Sequence, residues 1–97
     1  MYKIENTIGT APFKGLNIKK LESNDTCDTF LITLEKGSTF PDHTSPRDAL
    51  LVVLEGIILF TISSENYTLQ KNQSINFSAG EKHKVVAIKN AEFLIIR

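Results

Sequence analysis

The sequence predicts an all-β fold, a small barrel or a sandwich, for a chain of 97 residues. Short runs rich in Ile, Val, Leu, Phe and Thr alternate with Gly, Asn, Pro or Ser at intervals of about eight to twelve residues, the spacing typical of strands joined by tight turns. No segment has the periodicity of an amphipathic helix. The pattern predicts nine strands, at residues 16–21, 29–35, 38–42, 49–54, 57–63, 67–69, 74–77, 84–88 and 92–96.

Turn-forming residues separate most of these strands. Gly and Asn tolerate the backbone conformations that tight turns need, and solvated Lys, Glu and Gln accompany them. The clearest turn signals lie at residues 35–37, 54–56, 64–66, 71–73 and 89–91.

The first fifteen residues differ from the rest of the chain. They are interrupted by Gly9, Pro12 and Gly15, so they predict an arm that lies across the barrel or onto a second subunit. The chain has the length of one ordinary domain, and its 41% hydrophobic residues suit a single core. We therefore expect one domain over residues 1–97.

Charge and hydropathy exclude several classes of partner. Eleven basic and eleven acidic residues give a formal net charge of zero, which predicts no attraction to nucleic acid. The apolar runs at 49–54 and 57–62 are separated by Glu55 and Gly56 and are too short to span a membrane. The N-terminus lacks the apolar stretch of a secretory signal, so we expect a cytoplasmic protein.

Residues 37–56 carry the first recognisable motif and read GSTFPDHTSPRDALLVVLEG. Five residues separate Gly37 from His43, and the segment closes on Val-Leu-Glu-Gly at Gly56. This spacing resembles the first motif of the cupin superfamily, which has a Gly, five residues, His-x-His, a Glu after three or four residues, and a Gly after six more.

Residues 72–86 read NQSINFSAGEKHKVV and resemble the second cupin motif. Gly80 and His83 match that motif, whereas Asn72 stands near its first Gly and Ser78 stands at its Pro. The resemblance covers about residues 27–97. It implies a double-stranded β-helix, also described as a cupin or jelly-roll barrel, and it implies a homodimer.

The resemblance also implies a metal site that this chain has partly lost. In metal-binding cupins two His and a Glu of the first motif and one His of the second hold a divalent ion. Here His43 and His83 match, but Ser45 replaces the second His and Ala49 stands where Glu belongs. Asp48, next to that position, should point away from the ligand face because strand side chains alternate.

Two roles stay open for the two histidines. They could hold Zn, Ni, Fe or Cu weakly, with water at the remaining positions, although protein metal sites normally use three or four protein ligands. Alternatively, they could hydrogen-bond each other through water or bind an anionic ligand. The sequence does not separate these roles.

Other side chains near the motifs are candidates for the wall of a ligand pocket. Arg47, in the turn before the fourth strand, could bind a carboxylate ligand, but we expect it to pair with Asp48. Ser45 suits a small pocket-lining hydroxyl better than a nucleophile. The predicted pocket is lined by His43, Ser45, Arg47, Leu51, Phe60, Phe77 and His83, with Phe40 as a further candidate for its wall.

These observations favour a module that binds or senses a small molecule and carries a degenerate metal site. The alternative is a metal-dependent enzyme of the dioxygenase or isomerase type that uses His43 and His83. A third possibility is a structural role with a filled barrel. Fold alone does not choose between them, because one fold supports many chemistries.

Overall fold

A computed structural model describes residues 2–97, apart from the side chain of Glu22; Met1, the first residue of the predicted arm, lies outside this range. All nine predicted strands are present in the described residues. They are β1 (Leu16–Ser23), β2 (Asp28–Leu34), β3 (Thr39–His43), β4 (Ala49–Glu55), β5 (Ile57–Ile62), β6 (Glu65–Gln70), β7 (Ser74–Phe77), β8 (His83–Ala87) and β9 (Ala91–Ile96).

The largest error in the predicted boundaries concerns β6. The sequence predicts residues 67–69, but the strand runs from Glu65 to Gln70. Only Leu69 is buried in it, because β6 lies at the edge of its sheet and exposes most of its side chains. A strand with so few buried positions lacks the alternation from which strands are recognised.

The strands form two antiparallel sheets that pack face to face. One sheet has five strands in the order β1-β2-β9-β4-β7, and the other has four in the order β3-β8-β5-β6. Apart from β1-β2 and β5-β6, neighbours in a sheet are not consecutive in sequence, so the chain crosses repeatedly between the two sheets. This winding produces the double-stranded β-helix that the sequence predicts. Among the described residues, no α-helix is long and apolar enough to cross a membrane.

A single apolar core lies between the sheets. Alternate residues of the central strands point inward, as period-two alternation requires. From β4 these are Ala49, Leu51 and Val53, and from β5 they are Ile58, Phe60 and Ile62. Strands β2, β8 and β9 add Ile32, Leu34, Val85, Ala87, Ala91, Phe93 and Ile95 to the same core.

The turn between β6 and β7 explains one departure from the second motif. Asn72 has a positive φ of 73°, in the left-handed region that Gly adopts most easily. Asn is among the few other residues that enter this region at modest cost. An Asn near the Gly position therefore preserves the backbone of the turn.

The N-terminal arm lies against its own barrel. The backbone N–H of Gly9 donates to both carboxylate oxygens of Glu92, each at 3.1 Å. Thr7, Ala11 and Pro12 lie over the outer face of β1 and β2, and this cover leaves Leu31 and Thr33 buried although they point away from the core. Of the two positions predicted for the arm, the structure places residues 7–12 on the barrel.

Candidate functional site

A partly open cavity of about 160 Å³ lies between the two sheets at one end of the barrel. Most of its wall is apolar, and its polar side chains are two imidazoles, one hydroxyl and one guanidinium. It is lined by Ile18, Phe30, Ile32, Phe40, His43, Ser45, Phe77, His83, Ile95 and Arg97.

His83 occupies an inward position at the beginning of β8. The strand buries alternate residues, His83, Val85 and Ala87, so the imidazole continues the row of core side chains toward the cavity. Its ring lies 4.6 Å from the ring of Phe77 and 5.7 Å from the ring of Phe60, measured between centroids. Only 2% of the residue is exposed to solvent.

His43 reaches the same cavity through an irregularity in β3. The pairing of β3 with β8 shifts register between Phe40 and His43. In a regular strand, residues three apart would face opposite sides, but a β-bulge re-aims one of them. The rings of Phe40 and His43 therefore stack, with 4.3 Å between their centroids. Pro41 and Asp42, which lie between them in sequence, are exposed. Pro41 is tolerated here because β3 is an edge strand.

The two imidazoles meet directly. His43 and His83 are cross-strand partners, and their Nε2 atoms are 3.0 Å apart. The Nδ1 of His43 lies 2.9 Å from the carbonyl oxygen of Pro41, and the Nδ1 of His83 lies 2.9 Å from that of Glu81. Because a carbonyl oxygen only accepts, each Nδ1 carries the proton and a neutral ring has its lone pair at Nε2.

The two imidazoles make three polar contacts, two with carbonyl oxygens and one with each other, and each contact needs one proton. Two neutral rings carry two ring protons, and both are used by the carbonyl oxygens. Two lone pairs that face each other at 3.0 Å repel unless a proton, a cation or a hydrogen-bond donor comes between them. The arrangement is suited to bind a group that supplies what the Nε2 atoms lack.

Burial keeps the His83 ring neutral at neutral pH. Loss of solvation lowers the pKa of His83 below the ordinary value of 6.5, and the positive charge of Arg97 lowers it further. The hydrogen bond to the Glu81 carbonyl acts in the opposite direction but does not outweigh burial. His83 therefore offers a lone pair rather than a positive charge.

The residues present do not fit a resident metal ion with a full set of protein ligands. Among the described residues, no group of three or more His, Cys, Asp or Glu side chains converges on one point. Ala49 faces the core and has no donor atom. Asp48 is exposed and accepts a hydrogen bond at 2.9 Å from the backbone N–H of Ala79, so it takes no part in the cavity.

Ser45 lines the cavity, but its hydroxyl is used locally. Its Oγ donates to the carbonyl oxygen of Arg47 at 2.6 Å and accepts from the Arg47 backbone N–H at 3.3 Å. The residue is 3% exposed and follows β3 rather than belonging to it. This contact holds the loop between β3 and β4 and leaves Ser45 without a base that could activate it.

The structure does not bring three of the predicted pocket residues to the cavity. Leu51 and Phe60 are fully buried in the core beneath it, although Phe60 contacts His83 through its ring. Arg47 lies outside, and its predicted pairing with Asp48 is wrong. Its guanidinium donates instead to the Asp28 carboxylate at 2.9 Å, because β2 and the loop before β4 meet at this end of the barrel.

Sequence reasoning missed Arg97, the guanidinium that does line the cavity. Its backbone continues the pairing of β9 with β2 through hydrogen bonds in both directions with Asp28. Arg97 thus follows Phe93 and Ile95 on the inward face, and the same alternation that identified the core could have found it. The carbon of its guanidinium lies 4.9 Å from the centroid of the Phe30 ring.

The two-sheet architecture and the cavity between the sheets define a double-stranded β-helix protein. A family model described as "Cupin domain" matches residues 30–97, so the chain belongs to the cupin family. The match begins within β2 and includes both histidines.

Three solved structures illustrate the same fold. A protein of unknown function from Streptococcus pyogenes is 24% identical, with a TM-score of 0.79 over 99% of this chain and 93% of that chain. An RmlC-like cupin from Desulfovibrio desulfuricans is 17% identical, with a TM-score of 0.87 over 99% and 95%. The cupin domain of an XRE family transcriptional regulator from Enterobacter cloacae is 22% identical, with a TM-score of 0.76 over 86% and 95%.

These identities are low, so the likeness establishes the fold alone. A search of curated proteins finds no match to this chain.

Proposed function

We propose that this cupin binds a small molecule in the cavity, with His43 and His83 as its main polar contacts. The observation that carries the proposal is the pair of Nε2 atoms, 3.0 Å apart and facing each other inside an apolar wall. Ligand sites typically combine such walls with a few polar groups. The cavity of about 160 Å³ is smaller than the roughly 300–1,000 Å³ of drug-sized sites, which favours a compact ligand.

A sensing role is compatible with this size of domain. The Enterobacter cloacae structure is the cupin domain of a transcriptional regulator, and this chain covers 95% of it. For the present chain the proposal rests on the cavity, because 22% identity carries no ligand or partner across.

The test is a fragment titration followed by NMR of the backbone amides and histidine rings. We expect fragments that bind to shift the resonances of Phe40, His43, Phe77 and His83 together. Replacing His83 by Phe removes the Nε2 acceptor while keeping a ring, and should abolish most of these shifts. Lys84→Ala is the matched control, because Lys84 is the next residue of β8 and is exposed. Shifts confined to other surfaces would contradict the proposal.

Metal binding is the second candidate, and the tautomers of the two rings favour it. Metal-bound histidines commonly donate their other ring N–H to a carbonyl oxygen, as both rings do here. Two nitrogens bound at about 2.0–2.1 Å to one ion are roughly 3 Å apart when they subtend a right angle, which matches the 3.0 Å separation. A divalent ion held there would supply a Lewis acid or activate oxygen, as in the enzyme alternative.

Metal analysis of the purified protein separates the two candidates. With two protein ligands we expect weak binding that is lost in the His43→Ala/His83→Ala double variant. Stoichiometric metal that survives dialysis in the wild type and vanishes in the double variant would defeat the binding-module proposal and favour the metal-dependent enzyme.

We also propose that the protein is a homodimer in which the first residues of the arm contact a second copy. Tyr2 and Ile4 alternate with Lys3 and Glu5, and both apolar side chains are almost fully exposed, at 103% and 88% of their reference areas. Isolated exposed apolar residues are common, but two almost fully exposed ones only two positions apart favour a partner surface.

A further inference from the structure

Arg97 provides the cavity with a cation whose potential for hydrogen bonding is not fully used. Its Nε atom is buried and has no hydrogen-bond partner among the described residues. A buried donor of a charged group that stays unpaired carries a desolvation cost, and native structures rarely keep such groups without a reason. Because the residue lines the cavity, a small movement of the side chain that turns Nε toward a ligand acceptor would remove this cost.

The other arginine near this end of the barrel, Arg47, has a carboxylate partner and serves as a comparison. Arg47 is paired with Asp28 at 2.9 Å and lies outside the cavity. No carboxylate among the described side chains forms an ion pair with Arg97, which instead lies over the ring of Phe30. The cavity therefore has one positive charge that makes no ion pair with a side-chain carboxylate of the described residues.

Apart from Ser45, whose hydroxyl is bonded to the Arg47 backbone, the remaining lining divides into acceptors and apolar walls. The Nε2 atoms of His43 and His83 accept a hydrogen, whereas Arg97 donates one. Six apolar side chains complete the wall: Ile18, Phe30, Ile32, Phe40, Phe77 and Ile95. A ligand that satisfies both ends needs an anionic acceptor, a hydroxyl or amide donor and a compact apolar body.

We infer that the cavity binds a small, largely apolar hydroxy acid, with its carboxylate on Arg97 and its hydroxyl donating to the His43–His83 pair. This inference rests on the proposed function and adds the class of ligand. Arginine and carboxylate form strong charge-assisted hydrogen bonds. The hydroxyl supplies the proton that the two Nε2 atoms lack, and the apolar body is accommodated by the volume of about 160 Å³.

Three matched probes test the two polar ends separately. They are 2-hydroxy-4-methylpentanoate, its amide, which removes the charge, and 4-methylpentanoate, which removes the hydroxyl. Affinities are measured by NMR titration of the metal-free protein in the presence of a chelator. We expect the hydroxy acid to bind at least about tenfold more tightly than the amide, as expected for loss of a charged hydrogen bond, and severalfold more tightly than the unhydroxylated acid.

Arg97→Met should abolish the preference for the acid over the amide, whereas Arg47→Met, the matched control, should keep it. Arg97→Gln provides a second variant if loss of packing on Phe30 unfolds the first. Equal binding of acid and amide to the wild type, or a preference that survives both Arg97 variants, would overturn the hydroxy-acid inference while leaving the binding module intact. If none of the probes, and no fragment of the earlier titration, shifts the His83 resonances, the proposed function itself fails.

Discussion

His43 and His83 are forty residues apart in sequence, yet their Nε2 atoms lie 3.0 Å from each other and each Nδ1 contacts a carbonyl oxygen two residues earlier in the chain. We predict that both rings carry their proton on Nδ1 in the ligand-free protein at neutral pH. Nitrogen-15 correlation spectra of the imidazole rings distinguish the two tautomers directly. Finding both rings protonated at Nε2 would show that the carbonyl contacts do not orient them.

Zinc titration in the same spectra gives the prediction a second readout. Because the free lone pairs are at Nε2, zinc should move the Nε2 signals of both rings together and leave the Nδ1 protons in place. In His43→Ala, zinc should no longer shift the Nε2 signal of His83, since a single imidazole holds zinc only weakly.

Gly56, the closing residue of the first motif, is expected to be intolerant of any side chain. A Cβ at this position would lie 2.0 Å from the carbonyl oxygen of Asn90 and 2.8 Å from the Cα of Ala91, so backbone would have to move. Gly37 is a matched control, because its φ of +85° is close to the +81° of Gly56 and a Cβ added there would meet nothing within 4 Å.

Gly56→Ala and Gly37→Ala should both be destabilised by the cost of a positive φ, about 1–2 kcal/mol. The steric conflict should then make Gly56→Ala less stable than Gly37→Ala by about a further 1–3 kcal/mol in the free energy of unfolding. Urea denaturation followed by circular dichroism measures both. Equal losses of unfolding free energy in the two variants would mean that the backbone at Asn90 and Ala91 moves away from the new Cβ at no energetic cost.

The fold was predictable because short apolar runs recur between turn residues and the two motifs follow in the expected order. The inward positions of His83 and Arg97 follow from the alternation of side chains along a strand. The position of His43 does not follow from it, because the β-bulge after Phe40 changes the face of the strand and no local signal fixes a bulge. The motif spacing, rather than periodicity, brings His43 into the predicted site.

The error in the predicted pairing of Arg47 has a related reason. Asp48 is its neighbour in sequence, but Asp28 is its neighbour in space because β2 and the loop before β4 converge. Leu51 and Phe60 flank the motifs, which suggests the pocket wall, but their depth beneath the cavity depends on packing between sheets that a sequence does not specify.

Asp28 gives a prediction for the dependence of stability on pH. The hydroxyl of Ser23 donates to its carboxylate at 2.8 Å and lowers its pKa below the usual 3.8, with the positive charges of Lys20 and Arg47 acting in the same direction. A lowered pKa in the folded state means that the ionised form stabilises the fold above pH 3.8. That contribution is lost as the pH falls from 3.8 through the lowered pKa.

We therefore expect the melting temperature of the wild type to exceed that of Asp28→Asn by a constant amount above about pH 5, and the difference to shrink in more acidic solution. Calorimetry from about pH 7 to about pH 2.5 measures the difference. Asp25→Asn, in the neighbouring exposed turn, is the control for removing a charge alone. A difference that grows on acidification would reverse the assigned direction of the Asp28 pKa.

The arm offers the last prediction, on the proposed homodimer. Gly9 is anchored to the buried carboxylate of Glu92, so the residues before it extend from a fixed point on the barrel with Tyr2 and Ile4 exposed. If these side chains pack on a second copy, Tyr2→Ser/Ile4→Ser should shift the protein toward monomer by removing apolar contact area. Light scattering coupled to size-exclusion chromatography, over a range of concentrations, reports the mass. Lys3→Ser/Glu5→Ser is the matched control in the same segment, because it removes polar rather than apolar side chains, and it should remain dimeric. A wild type that is monomeric at every concentration would refute the dimer, whereas a dimer that both double variants retain would place its interface away from the arm.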